Sequence, residues 1–247
     1  MSEEEGNRHF SPTADARSVR SLFGHISGVY DFLNSTLSFG MDRYWRKQLV
    51  KAAAPFPPQS TGRVLDLAAG TLEVSLALAA RYPDKQIPAL DFSLPMLQRG
   101  LPKLKKRGLR SVFPMQGDAM ALPLADGSVD AITIAFGLRN IRPRQAAYAE
   151  ALRVLIPGGR FCVLEFAGAE KQILFGLYNL YLKHVLPAIG SLVSRNKGAY
   201  HYLAETIGAY PPALQLENEM REAGFTVVTH TPYSFGIVCL HTGEKPL

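Results

Sequence analysis

The chain has 247 residues, 47% of them hydrophobic and 19% charged, with 27 Lys and Arg against 21 Asp and Glu. That length suits one large domain, or one domain with an appendage, and that composition excludes a disordered polymer. The net charge of +6 is compatible with an anionic membrane surface, with nucleic acid or with a merely solvated basic surface, and says nothing about fold.

In chain order, residues 1–17 are polar, lack the pattern of a signal peptide and read as a mobile tail. Val19, Leu22, Phe23 and Ile26 recur at helical spacing. A second helix is expected at about 42–54, stopping at Pro55-Phe56-Pro57-Pro58, a linker or seam. Residues 1–58 are therefore expected to form a tail and helical cap, and 59–247 the main domain.

From Arg63 strands and helices alternate. Strands are expected at 63–67, 86–90, 111–115, 129–136 and 160–166, the last entered through a Pro157-Gly158-Gly159 turn. Helices are expected at 73–81, 94–106 and 143–154. This rhythm predicts an α/β fold, a doubly wound and mostly parallel sheet that binds ligands at its strands' carboxyl ends. Residues 167–205 break the rhythm with an apolar, aromatic insert. Its stretch Ile173–Val193 contains Asn179, Lys183, His184 and Pro187, which argues against a spanning helix. A helix at 213–223 and two strands, 225–230 and 235–240, end the chain as an antiparallel addition. Cys162 and Cys239 lie in apolar runs, so buried thiols are expected, with neither a disulfide nor a metal.

Asp66 ends the first strand, and Asp91 ends the second 25 residues later. Ala68, Ala69 and Gly70 between them let a ligand approach the backbone. A carboxylate at 66 repels phosphate and attracts an ammonium, which disfavours a dinucleotide. Asp91 can accept ribose hydroxyls or cap the following helix. Paired, the two suit an adenosine carrying an amino acid. Asp118 can accept from an adenine amine or make an Asx turn. Arg139 and Asn140 follow the 129–136 strand, where a polar ring substituent could be oriented. Lys103, Lys105, Lys106, Arg107 and Arg110 suit a helix end, and no stacking aromatics interleave them as single-stranded nucleic acid would require.

Together these pieces resemble the class I S-adenosylmethionine-dependent methyltransferases, and more closely the ubiquinone/menaquinone biosynthesis C-methyltransferase family, over about Val19–Gly243. The likeness is carried by Tyr30-Asp31-Phe32-Leu33-Asn34, Leu90-Asp91-Phe92-Ser93, Phe136-Gly137-Leu138-Arg139-Asn140, Val163-Leu164-Glu165-Phe166 and Tyr202-Leu203-Ala204-Glu205. The resemblance implies a seven-stranded sheet with an antiparallel last strand, N-terminal helices and a helical lid. It implies S-adenosylmethionine as cofactor, held by Asp66, Ala68, Gly70, Thr71, Asp91, Phe92, Asp118, Ala119 and Ala135. Arg139, Asn140 and Tyr30 would act on the acceptor, a polyprenylated quinol. The resemblance implies a cytoplasmic protein, with room for peripheral contact at the inner face of the membrane and for a homodimer, and no nucleic-acid partner. The family's usual turn is Ala-Gly-Gly-Thr-Gly-Asp; this chain has Ala-Ala-Gly-Thr-Leu-Glu at 68–73, and Ala135 replaces a serine. Leu72 in a glycine's place is expected to push the helix outward. These departures keep a non-catalytic binding protein as an alternative reading, beside a methyltransferase of another acceptor such as RNA.

Overall fold

The computed structural model describes Ser38, residues 40–167, Thr206 and residues 210–247. The expected tail, the helix at 19–26, Tyr30 and all but the first residue of the 167–205 insert lie outside them, Thr206 just beyond that insert excepted. Among the described residues seven strands make one sheet: β1 (Val64–Leu67), β2 (Ile87–Asp91), β3 (Val112–Gln116), β4 (Val129–Ala135), β5 (Leu155–Phe166), β6 (Thr226–Tyr233) and β7 (Val238–Glu244). Their order is β3-β2-β1-β4-β5-β7-β6. The first five pair in parallel, and β7 runs antiparallel to both β5 and β6. The α-helices whose bounds lie among the described residues are α1 (Met41–Ala52), α2 (Glu73–Arg81), α3 (Leu94–Arg107), α4 (Arg144–Val154) and α5 (Ala213–Ala223).

The central strands are buried along their length because helices cover both faces. Side chains alternate between the two layers. On β5, Phe161 and Val163 pack with Tyr148, Leu216 and Met220 of α4 and α5. Cys162 and Leu164 pack with Trp45, Leu76 and Leu97 of α1, α2 and α3. By the same period, Asp66 lies on the α2 side between Leu65 and Leu67, which face the other layer. Both cysteines are buried free thiols, and burial pushes Cys162 up to about 12.

Two details differ from the expected elements. Pro157-Gly158-Gly159 does not precede β5 but lies within it. Val129 pairs with Leu155 and Ala131 with Arg160, so the three residues form an irregularity in a continuous strand. The last two strands extend further than expected, and their connection is Ser234–Gly236. Pro232 sits within β6 because that strand is the sheet's edge, where a missing N–H is tolerated.

At the sheet's amino end, Asp130 fastens the segment after the proline cluster. It accepts from the Ser60 hydroxyl, the Thr61 and Gly62 N–H groups and Lys85 Nζ, the last at 2.9 Å. These bonds hold its carboxyl below the ordinary range despite burial. The opposite, carboxyl end is the switch point, where the chain returns past β1 to lay down β4.

Candidate functional site

Asp66 and Asp91 end neighbouring strands but have different surroundings. Asp66 is 1% exposed, on the inner face of α2. The Ser75 hydroxyl donates to one of its oxygens and the Thr133 hydroxyl to the other at 3.3 Å. No cation pairs with it among the described residues, and burial pushes its pKa to about 7. Asp91 stands at the rim, half-buried. It accepts from the N–H groups of Gly70 and Ser93, each at 2.7 Å. Burial raises its pKa and those two bonds oppose the rise. Asp91 thus fixes the turn after β1 and begins α3, and a carboxylate with two such bonds has acceptor capacity left for hydroxyls.

The turn itself is strained. Ala68 and Leu72 have φ of 54° and 68°, and Phe136 after β4 has 56°. Non-glycine residues rarely occupy this region, and such outliers gather at functional sites. Ala68 and Gly137 are in close contact, since a Cβ on Gly137 would lie 2.5 Å from that of Ala68. The gap between the ends of β1 and β4 therefore has no room for a side chain at position 137. Leu72 does not fill it. Its side chain is fully buried between α2 and α3, and a Cβ on Gly100 would lie 2.5 Å from Leu72 Cγ. The room for Leu72 comes from the glycine opposite.

Asp118 makes an Asx turn, accepting from the Met120 N–H at 2.8 Å. Ala119 beside it is buried in the core on the α4 and α5 face. Thr71 is buried, and its carbonyl accepts from Lys103 Nζ at 3.1 Å. Lys103 also reaches Glu73 at 2.6 Å, so one cation of the basic cluster braces the turn. Phe92 is partly exposed at the end of β2, and Ala135 partly buried at the end of β4.

Arg139 does not stand open to solvent. It is 4% exposed in the short turn Leu138–Asn140, and its guanidinium donates to Glu165 at 2.7 Å and to the Phe136 carbonyl at 2.6 Å. Glu165 also accepts from the N–H groups of Arg139 and Phe166, tying the end of β5 to the loop after β4. Sequence reasoning gave Glu165 no role, although a glutamate at the end of an apolar strand was visible. It also passed over an aromatic run at the same edge. Trp45 lies 6.2 Å from Phe136, Phe136 lies 4.9 Å from Phe166, and the Arg139 guanidinium sits 5.6 Å over Phe166. Tyr30 lies outside the described residues. The described residues contain no group of three His, Cys, Asp or Glu able to hold a metal.

An acidic rim, a narrow small-residue turn and an adjoining aromatic wall suit a nucleoside beside a flat apolar acceptor. The profile of the ubiE/COQ5 methyltransferase family matches residues 11–245. The chain belongs to the ubiE/COQ5 methyltransferase family. It is 42% identical to the demethylmenaquinone methyltransferase of Thermus thermophilus, over 91% of this chain and 100% of that one. It is also 42% identical to the ubiquinone/menaquinone biosynthesis C-methyltransferase UbiE of Syntrophotalea carbinolica, over 98% of each chain. The fold is that of solved methyltransferases. An S-adenosylmethionine-dependent methyltransferase from Thermotoga maritima aligns with TM-score 0.60 at 20% identity, over 91% of this chain and 98% of that one. The CurJ carbon methyltransferase aligns with TM-score 0.62 at 14% identity, over 94% of this chain and 59% of that one. In this member of the ubiE/COQ5 family, the turn that departs from the usual pattern is kept in shape by Asp91, Lys103 and the Leu72–Gly100 contact.

Proposed function

We infer that this protein transfers a methyl group from S-adenosylmethionine to a ring carbon of a polyprenylated quinol in respiratory quinone biosynthesis. The observation that carries the reading is the full-length match to relatives named for that reaction, at 42% identity. The site fits the cofactor. Asp91 keeps acceptor capacity at the rim, and the Leu72 side chain points into the core and not into the turn. Bound there, S-adenosylmethionine supplies an electrophilic methyl on a sulfonium.

In this reading the residues of the chain bind and orient. Asp91 takes the ribose hydroxyls, with Phe92 beside it. Asp118 and Ala119 flank the adenine. Gly70, Thr71 and Ala135 line the cofactor where Ala68 and Gly137 close the strand ends, and Asp66 braces that floor from below. The acceptor ring lies along Phe136 and Phe166. A phenol's pKa is near roughly 10, so its ring carbon becomes a good nucleophile only when the phenolate is favoured. Arg139 keeps its proton and gives that oxygen a fixed dipole, helped by Asn140 and Tyr30. Glu165 sets the direction of that dipole. The phenol proton leaves to water, and once the methyl is in place the ring proton is lost to water or passes to the acceptor's own oxygen. Residues 1–58 and the 167–205 insert are assigned as the cover that excludes water, and peripheral contact at the inner face of the membrane supplies the acceptor. Among the described residues no helix is long and apolar enough to cross a membrane.

The test is incubation with labelled S-adenosylmethionine and each demethylated quinol, read by product mass. A product heavier by one methyl is expected. Arg139→Ala should cut turnover about a hundredfold or more while calorimetry finds cofactor affinity nearly unchanged. Asp91→Ala should do the reverse, weakening cofactor binding first. Unchanged turnover in Arg139→Ala would remove Arg139 from the chemistry.

A further inference from the structure

The carboxyl end of the sheet, where Asp91 lies, also carries an apolar surface that the methyl transfer does not use. β6 and β7 are joined there by Ser234–Gly236, and Phe235 in this connection leaves 81% of its surface in solvent. The backbone adds to the cost of that exposure. Ser234 and Phe235 have φ of 49° and 58°, two successive non-glycine residues in the left-handed region. A fold that holds an aromatic ring out on a strained turn gains nothing from it in water. Beside it stands the first turn of α1, where Met41 and Tyr44 are both partly exposed. Tyr44 meets Tyr233 edge-on at 5.9 Å, and the Trp45 indole N–H donates to the Ser234 hydroxyl at 3.0 Å.

From Trp45 the aromatic run leads inward through Phe136 and Phe166 to Arg139. The exposed patch therefore stands at the outer end of a run of packed rings that reaches the proposed acceptor site. The exposed charges of α1, on Arg43, Lys47 and Lys51, are all cationic. Its acid, Asp42, is buried against Arg46 at 2.9 Å. An aromatic tip next to a helix whose exposed charges are cationic matches the chemistry of a bilayer interface, where rings enter the acyl boundary and lysine and arginine meet lipid phosphates.

We propose that Phe235, with Tyr44, Met41, Arg43 and Lys47, docks this protein on an anionic lipid bilayer and so sets the aromatic run beside a prenylated acceptor held there. The choice of a bilayer as occupant rests on the proposed function. Docking needs neither cofactor nor acceptor, so its failure and the failure of methyl transfer are separate results.

Trp45 is the only tryptophan of the chain and lies directly under the tip, so its fluorescence reports on this patch. The full chain is titrated with vesicles of phosphatidylcholine, with and without phosphatidylglycerol, and with brominated acyl chains. Binding that needs the anionic lipid, with Trp45 quenched by bromine, is expected. Phe235→Asn removes the ring and places a residue tolerant of the left-handed region. It should weaken vesicle binding roughly tenfold, as loss of one buried aromatic implies, while the melting temperature holds or rises. With an acceptor short-tailed enough to dissolve, the variant should turn over like the parent. No vesicle binding, binding that Phe235→Asn leaves unchanged, or equal binding to uncharged vesicles would overturn the proposal. So would a dimer in sedimentation that Phe235→Asn dissolves, which would assign the patch to a second copy of this chain.

Discussion

Arg139 and Glu165 are both almost fully buried and 2.7 Å apart. Removing two charges from water is costly, and the cost is met only when partners satisfy what remains. Here the Phe136 carbonyl and two backbone N–H groups meet part of that cost, while the buried Arg139 Nε has no hydrogen-bond acceptor among the described residues. Removing one partner leaves a buried charge alone, which typically costs about 3–5 kcal/mol, whereas two apolar residues of similar volume are often nearly neutral. Glu165→Ala should therefore destabilise the protein more than the double change Arg139→Met with Glu165→Leu, as urea unfolding can measure. If the single variant is the more stable, the pair does not brace the two strand ends. Arg139 was legible in the sequence because it follows directly on an apolar strand. Its partner was not, because the pairing spans 26 residues and depends on β4 and β5 lying side by side.

Between elements, the α2–α3 contact decides whether the atypical turn is tolerable. Leu72 occupies the left-handed region, which costs a non-glycine residue roughly 1–2 kcal/mol. Its fully buried side chain is worth more, since losing a buried leucine costs about 2–5 kcal/mol. Packing wins over strain, so Leu72→Gly should destabilise despite relieving the backbone. Gly100→Ala should also destabilise, by about 1–3 kcal/mol, because its Cβ would lie 2.5 Å from Leu72 Cγ and 2.9 Å from the Thr71 carbonyl. In the Leu72→Gly background that penalty should shrink by about 1 kcal/mol, and a thermal-denaturation double-mutant cycle gives the coupling. Strict additivity would mean that the two residues do not share the space. The alternation of strands and helices was readable from Arg63 onward because apolar runs and small-residue turns mark each βαβ unit. The insertion of β7 between β5 and β6 was not, since sequence order makes β5 and β6 neighbours and only pairing separates them. Nor was the continuation of β5 through Pro157-Gly158-Gly159, because those residues signal a turn locally and are overruled by pairing on either side.

For the molecule as a whole, two buried groups in opposite layers pull stability in opposite directions with pH. Asp66 faces the α2 layer, with its pKa raised from 3.8 to about 7 by burial. His241 lies on β7 beside α5, its imidazole bonded to the Ala213 carbonyl at 2.9 Å. Burial lowers its pKa from 6.5 to about 4. Stability rises with pH wherever the unfolded chain binds more protons than the folded one. From 3.8 to about 7 the folded Asp66 holds a proton that the unfolded residue has lost, so its contribution falls as pH rises. From about 4 to 6.5 the unfolded His241 holds a proton that the folded residue refuses, so its contribution rises with pH. Each slope is at most about 1.4 kcal/mol per pH unit, and across the shared window they oppose each other. The raised carboxyl of Asp91 adds to the Asp66 side. Calorimetric melting without cofactor, at fixed ionic strength from pH 4.5 to 6.5, should separate the two. Asp66→Asn removes the falling contribution, so its melting temperature should climb with pH more steeply than that of the unsubstituted protein. His241→Gln removes the rising one, so its melting temperature should decline across the same range. Three parallel profiles would show that neither group changes its proton affinity on folding, and that a protonated carboxyl under the turn after β1 is not a feature of the native state.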